Sequence, residues 1–175
     1  MGGGVLTLTA ANTYTGPTSV GEGTLALNST ASLASSIINV AGGATFDVSA
    51  KSGGFVVPSG NILEGSGRIA GNLTVNGKHK PGKSAAMEMP PGNGTIGIET
   101  VQGNYTLTGE LDIDVAGTVA GTGYDEVLPS GTGVYNVSLS GTLGLGFPRS
   151  NDALPKALEE EIIFERKMQL PLAGV

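Results

Sequence analysis

Three carboxylates alternate with apolar residues near the middle of the chain. They are Glu110, Asp112 and Asp114, separated by Leu111 and Ile113. Residues two apart on a strand share a face, so the three acids would line one outer face. Such a row could bind Ca²⁺, or serve as bases of a polysaccharide-cleaving site. Because neighbouring acids of this kind lie ~7 Å apart, too far for one ion without further ligands, we predict a solvated face and no metal.

The single histidine, His79, stands between Lys78 and Lys80. A general base or a metal ligand needs partners, and the sequence has neither a second histidine nor a cysteine. We therefore predict that His79 is a solvated loop residue. With Lys83 these residues form the densest cationic cluster, which is small beside a formal net charge of −6, so no nucleic-acid partner is predicted.

Two other segments have the composition of loops. Prolines between residues 81 and 91 bracket Met87-Glu88-Met89, which predicts an excursion from the main fold near residues 78–93. A partner contact there is an open alternative, because loops carry function more often than cores do. Tyr124-Asp125 follows Gly-Thr-Gly, but the Lys-Ser/Thr of a phosphate-binding loop does not follow, so we predict a corner turn.

Asparagine begins several Asn-x-Ser/Thr sequons. We attribute them to chance in a chain rich in threonine, serine and asparagine rather than to glycosylation. The sequons start at Asn28, Asn72, Asn93, Asn104 and Asn136. No catalytic, cofactor-binding or metal-binding residue is predicted anywhere in the sequence, and no cofactor is expected.

Glycine and β-branched residues dominate the composition. The chain has 175 residues, of which 30 are glycine, and it contains no cysteine. Frequent glycine beside valine, isoleucine and threonine predicts many short strands joined by tight corners. Disulfides and thiolate metal sites are excluded. No apolar run approaches the ~20 residues of a membrane span, so none is predicted.

Strict alternation of apolar and polar residues is the main structural signal before residue 148. Each run has one apolar face and one face of threonine, serine, asparagine or aspartate, as expected for short strands. The apolar positions are Leu6 and Leu8, Leu25 and Leu27, Phe46 and Val48, Leu73 and Val75, Ile96 and Ile98, Tyr105 and Leu107, Leu111 to Val115, Val137 and Leu139, and Leu143 to Phe147.

These runs recur at a drifting interval of ~20 residues, which indicates a repeat architecture. Gly-x-apolar starts occur at Gly4, Gly23, Gly43 and Gly67. Strands without intervening helices at this period favour a β-solenoid of about seven parallel coils over residues 1–148. A β-sandwich also has short alternating strands but explains the recurrence less well.

The composition changes after residue 148. Residues 149–175 are rich in charge, and the Gly-Thr corners vanish. Asn151 or Asp152 could cap a helix that runs to Met168, and a charged edge strand around residues 161–165 is the alternative. Either would protect an open solenoid end, so we predict a short atypical C-terminal cap or arm.

The stretch GVLTLTAANTYTGPTSVGEGTLAL at residues 4–27 resembles the autotransporter-associated β-strand repeat, also called the passenger-associated transport repeat. The resemblance extends to about residue 50, and Asn12-Thr13-Tyr14-Thr15-Gly16 is its most specific part. In that setting we expect Tyr14 to point toward the core and Gly16 and Gly23 to turn the chain. The resemblance implies an all-β fold, a right-handed single-stranded parallel β-helix, displayed on or secreted from a bacterial cell.

That repeat is a structural, transport-associated module without catalytic residues, so none is transferred and the chain is not expected to be an enzyme. We predict an extracellular or cell-surface structural protein that serves as a passenger stalk or assembles head to tail into a filament. Its expected partners are copies of itself or neighbouring repeats of a longer passenger. The alternative is a polysaccharide-binding or polysaccharide-degrading β-helix protein.

Overall fold

A computed structural model of the chain describes residues 3–82, 95–130 and 136–146. These residues form sixteen strands and no helix. The strands are β1 Val5–Leu8, β2 Thr18–Val20, β3 Thr24–Leu27, β4 Ile37–Val40, β5 Thr45–Asp47, β6 Phe55–Val57, β7 Ile62–Gly65, β8 Arg68–Ala70, β9 Leu73–Val75, β10 Lys78–Pro81, β11 Ile98–Gln102, β12 Tyr105–Leu107, β13 Glu110–Asp114, β14 Glu126–Pro129, β15 Val137–Leu139 and β16 Thr142–Gly146.

The strands form three sheets that run side by side along one axis. The first sheet has the order β1-β3-β5-β8-β11-β14, the second β2-β4-β7-β10-β13-β16, and the third β6-β9-β12-β15. Within the described residues all pairings between these strands are parallel. From β5 onward the chain visits the first, third and second sheets in turn, whereas β1 to β4 alternate between the first and second sheets. The parallel stacking confirms the predicted right-handed parallel β-helix.

The described residues contain six coils, and the prediction of about seven was wrong. We number the coils by their first strands, so that coils 1 to 6 begin with β1, β3, β5, β8, β11 and β14. These strands begin at Val5, Thr24, Thr45, Arg68, Ile98 and Glu126. The ~20-residue period therefore holds only near the beginning of the solenoid, and the later coils are longer.

The interior is filled by ladders of aligned side chains, one from each coil. In the first sheet the inner ladder consists of Leu6, Leu25, Phe46, Ile69 and Val101. All but the terminal Leu6 are buried. Each buried side chain of this size contributes about 1.5–3 kcal/mol relative to its exposure, so the coils are held together mainly by stacking. Phe46 also packs edge-to-face on Phe55 of the third sheet, with ring centroids 5.1 Å apart.

Glycine permits the tight connection from β7 to β8. Gly65 has φ = 128°, and a Cβ atom at this position would overlap the backbone of Val40. An L side chain would be strained in this backbone conformation and would also lack room. Only Ser66 and Gly67 separate β7 from β8, so coil 4 directly continues coil 3.

An asparagine ladder runs along the corner that precedes the third sheet. The backbone N–H of Asn104 donates to Oδ1 of Asn72 at 2.9 Å, and the N–H of Asn136 donates to Oδ1 of Asn104 at 2.9 Å. The three residues stand 32 positions apart at equivalent points of coils 4, 5 and 6. Together with Asn28, whose Oδ1 accepts from the backbone N–H groups of Thr30 and Ala31, four of the five sequon asparagines thus take part in structural hydrogen bonds.

Several local predictions can be compared directly with the structure. The alternating runs become strands, except that β11 buries Glu99 and Val101 instead of the predicted pair Ile96 and Ile98. Tyr14, which was expected to point toward the core, is 45% exposed at the coil 1 end of the solenoid. Gly23 has the left-handed φ of 70° expected of a corner residue.

Two predictions fall on parts of the chain that are not described. The cap or arm at 149–175 lies outside the described residues, and so does most of the excursion near 78–93. Residues 78–81 are described and form β10, a strand of the second sheet.

Candidate functional site

His79 lies inside the solenoid, so its prediction as a solvated loop residue was wrong. β10 alternates in burial, with Lys78 and Lys80 facing outward and His79 facing inward. In the inner ladder of the second sheet His79 is aligned with Leu63 on one side and Leu111 on the other. Its exposed fraction is 0%. The flanking lysines suggested a solvated residue, whereas the strand geometry places only the lysines in solvent.

Two polar side chains meet His79 in the interior. Tyr105 Oη lies 2.7 Å from Nδ1 of His79, and Oε2 of Glu99 lies 2.6 Å from Nε2. The histidine belongs to β10 of coil 4, whereas Glu99 and Tyr105 belong to β11 and β12 of coil 5. We call these three residues the core triad. Each of the three sheets supplies one member, so the triad spans the cross-section of the solenoid.

Burial dominates the electrostatics of the core triad. It raises the pKa of Tyr105 above the ordinary value of 10, and the nearby carboxylate of Glu99 raises it further. The phenol therefore stays protonated, and when it donates to Nδ1, the Nε2–H of His79 is the donor to Glu99. Glu99 Oε1 is buried and has no hydrogen-bond partner among the described residues. The triad is a closed polar contact and is not open to a substrate.

Asp125 is a second buried carboxyl group, at the junction of coils 5 and 6. Its Oδ1 accepts from the N–H of Gly97 at 2.8 Å, and its Oδ2 accepts from the N–H of Asp114 at 2.9 Å. Burial raises the pKa of Asp125 to about 6, the carboxylates of Asp114 and Asp112 add to the rise, and the two N–H donors oppose it. The predicted corner turn at Tyr124-Asp125 therefore contains a buried carboxyl group that ties three segments together.

The acidic row of β13 is paired with lysines of the preceding coil. Lys78 Nζ lies 2.9 Å from Oε1 of Glu110, and Lys80 Nζ lies 2.7 Å from Oδ2 of Asp112. On the same face, Asn39 Nδ2 donates to Glu64 Oε1 at 3.2 Å. Asp114, the last acid of the row, lies at the coil corner, where its backbone N–H donates to Oδ2 of Asp125. The outer face of the second sheet thus carries cross-strand ion pairs and a cross-strand hydrogen bond.

No group of residues with the composition of a metal site was found in the described part of the chain. A cavity of about 510 Å³ opens at the coil 1 end of the solenoid. It is lined mainly by apolar residues of coils 1 and 2, among them Leu6, Val20 and Leu25, together with Tyr14 and Glu22. This cavity is the open interior of the terminal coil rather than a cleft on the flank of the solenoid.

Residues 1–27 match the family model of the passenger-associated transport repeat. The match covers the stretch that contains Asn12 to Gly16, and it confirms the resemblance read from those residues. Neither the curated proteins nor the solved structures gave a significant match. The described part of the chain includes no helix that is long and apolar enough to cross a membrane.

The sequence analysis did not predict the core triad, because its members are distant in sequence and His79 was expected to be solvated. Glu99 and Val101 have the alternation of an inner face, but the apolar pair Ile96 and Ile98 suggested the opposite phase. Tyr105 was correctly placed inside, where its hydroxyl needs a partner. A buried tyrosine hydroxyl needs a hydrogen-bond partner, and this need was the signal in the sequence that could have indicated a buried His79.

Proposed function

We propose that this chain is a non-catalytic structural segment of a bacterial surface or secreted passenger protein. The observation that carries the proposal is the uninterrupted stacking of parallel strands in three sheets along one axis. Repeated stacking produces a rigid rod whose length grows with each coil and whose stability depends on neighbouring coils. The match to the passenger-associated transport repeat at residues 1–27 supports the same function.

The chemistry of the described side chains also supports a structural role. The core triad is sealed in the interior, and the acids at 110 and 112 are paired with lysines. A polysaccharide-cleaving site needs acid or base groups that reach a substrate in an open cleft. New reducing or unsaturated ends after incubation of the purified protein with acidic polysaccharides would overturn the proposal, and we expect none.

Two modes of use follow from the open end of the solenoid. At coil 1, Val5 and Leu6 are 68% and 63% exposed, and Leu6 terminates the inner ladder of the first sheet. A further coil of the same kind would cover this ladder, either from a neighbouring repeat of a stalk or from a second copy in a filament. A head-to-tail contact that does not close on itself produces a fibre.

Negative-stain electron microscopy of the purified chain distinguishes these modes. Filaments that lengthen with protein concentration would support head-to-tail assembly, and the variant Leu6→Glu should shorten them because it places a charge on the stacking surface. Monodisperse short rods at high concentration would contradict assembly and leave the stalk. Globular particles without a long axis would contradict both modes.

A further inference from the structure

The core triad occupies positions that are apolar in neighbouring coils. His79 replaces the leucines found at 63 and 111 in its ladder, and Tyr105 stands between Leu73 and Val137 in the third sheet. Glu99 is aligned with Val127 of coil 6. The polar side chains therefore replace apolar neighbours in all three sheets at the junction of coils 4 and 5.

This level coincides with a change in how the coils are connected. Coil 3 passes to coil 4 through two residues, because β7 ends at Gly65 and β8 begins at Arg68. Coil 4 passes to coil 5 across a much longer segment, because β10 ends at Pro81 and β11 begins at Ile98. A two-residue connection fixes where the next strand starts, whereas a long one leaves that position free.

Apolar ladders alone choose poorly between alternative registers. A shift of two residues along the strand keeps every inner side chain inside, since side chains alternate with a period of two. It would place Leu107 opposite Leu73 in place of Tyr105, which keeps the ladder apolar, and outside the core it would break exposed hydrogen bonds from Asn104 to Asn72 and from Thr108 to Asn76. The same shift would separate Tyr105 and Glu99 from His79 and leave buried polar groups without partners, which is strongly unfavourable.

We propose that the His79–Glu99–Tyr105 contact is a register lock that fixes how coil 5 stacks on coil 4. It is satisfied only when β11 and β12 are both aligned correctly with β10. Buried polar contacts are known to select one arrangement among several of similar apolar content. The lock lies at the junction where the connecting chain does not impose the register.

The next long connection has a comparable feature. β13 ends at Asp114 and β14 begins at Glu126, and the buried Asp125 at this point bonds backbone N–H groups of Gly97 and Asp114. Both long connections between coils are thus accompanied by a buried ionisable side chain that contacts an adjacent coil. This second case supports the proposal independently of the triad.

The proposal is tested by replacing the triad with residues found in the same ladders. The triple variant His79→Leu, Glu99→Val and Tyr105→Phe keeps the interior filled and removes every polar atom of the lock. Because the chain has no cysteine, introduced cysteine pairs report register without background. Aligned outer residues of neighbouring strands lie about 4.8 Å apart, within the range that a disulfide can bridge.

Three cysteine pairs measure the alignment of β12 on β9 by their rates of oxidative cross-linking. Thr74 with Thr106 reports the native register, since these residues are aligned in the structure. Thr74 with Thr108, and Asn76 with Thr106, report shifts by two residues in opposite directions. The pair Val56 with Thr74 crosses the short connection between coils 3 and 4 and serves as the control.

In the otherwise unaltered chain we expect the native pair to cross-link at least about tenfold faster than either shifted pair, which corresponds to about 1.4 kcal/mol. In the triple variant we expect one shifted pair to approach the rate of the native pair, while the control pair is unchanged. A triple variant that cross-links only in the native register would overturn the proposal. So would a triple variant that does not fold, because it would show that the triad is needed for stability itself.

A milder variant keeps the test decisive. Tyr105→Phe removes only a hydroxyl group and one hydrogen bond, and we expect a shifted pair to cross-link several-fold faster than in the parent chain. Val101→Ala removes apolar contact at the same junction without touching the lock. If Val101→Ala increases shifted cross-linking as much as Tyr105→Phe, the register depends on packing in general and the proposal fails.

Discussion

The junctions from coil 1 to coil 4 and the junctions from coil 4 to coil 6 form two groups that solve the same stacking problem in different ways. In the first group, successive coils are joined by only a few residues, such as Ser66 and Gly67 between coils 3 and 4, and the inner ladders are mainly apolar. In the second group the connections are long, and buried polar side chains at 79, 99, 105 and 125 join adjacent coils. The buried polar contacts that join adjacent coils here thus occur at the two junctions where the connecting chain is long.

The largest effect is expected when one member of the core triad is removed. His79→Leu supplies the residue that stands at 63 and 111, yet it leaves Glu99 buried without its partner. Breaking a buried pair in this way costs about 3–5 kcal/mol. Urea unfolding measures the loss. A loss of unfolding free energy below about 1 kcal/mol would show that coil 4 tolerates an apolar residue at this ladder position as coil 3 does.

A matched substitution in coil 3 should lower the free energy of unfolding by about 3 kcal/mol. Leu63→Ala removes a fully buried side chain from the same ladder, one coil before His79. The loss comes from the removed apolar surface and the cavity left behind, and it carries no register defect. Thermal or urea unfolding gives the magnitude, and cross-linking of Thr74 with Thr106 in this variant should stay native. A shifted register of β12 on β9 in this variant would contradict the distinction between the junctions before coil 4 and those after it.

Asp125 should give the junction of coils 5 and 6 a distinct pH dependence. Its folded pKa of about 6 lies above the ordinary 3.8, so its contribution to stability is fully present below about pH 4 and is lost as pH rises through 6. The rise corresponds to about 3 kcal/mol at most. Asp125→Asn cannot titrate, so we expect parent stability relative to this variant to fall by about 2–3 kcal/mol between pH 4 and pH 7.

The measurement is a pair of urea titrations at each pH. Because both proteins share the other titrating groups, the difference between them isolates Asp125. A difference that stays constant from pH 4 to pH 7 would mean that this carboxyl group has an ordinary pKa, and that burial does not raise the pKa of the acid at the second long connection.

The ion pairs on the outer face of the second sheet should contribute least to the free energy of unfolding. Lys80→Met removes the ion pair with Asp112, whose side chains are 26% and 25% exposed. Partly exposed pairs contribute about 0–1 kcal/mol, and the effect should shrink at high salt. Unfolding in low and in 1 M salt measures both. A loss above about 2 kcal/mol would place part of the coil 4–5 lock on the surface and would weaken the case for the core triad.

Much of the fold could be predicted from sequence because stacking imposes a visible pattern. Alternation at Leu25 and Leu27, and at Tyr105 and Leu107, identified strands correctly. Residues 4–27 resembled a known repeat, and the family model confirmed it. The number of coils was missed because the period was measured where the connections are short, and the long connections at 82–97 and 115–125 change it.

The candidate site could not be predicted from local pattern alone. His79 looked solvated because charged neighbours flank it, although a strand places those neighbours on the opposite face. Its partners lie 20 and 26 residues away, and their approach depends on a register that the sequence does not state. The 32-residue spacing of Asn72, Asn104 and Asn136 is a long-range signal in the sequence that reflects this register.

The burial of His79 is the claim on which this account depends most, and one measurement tests it directly. The chain has a single histidine, so its carbethoxylation by diethyl pyrocarbonate, followed by mass spectrometry, reports one site. We expect the native protein to react at least about 100-fold more slowly than the urea-unfolded chain, since reaction requires the coils to open. Native and unfolded rates that agree within about threefold would place His79 in solvent and contradict the register lock.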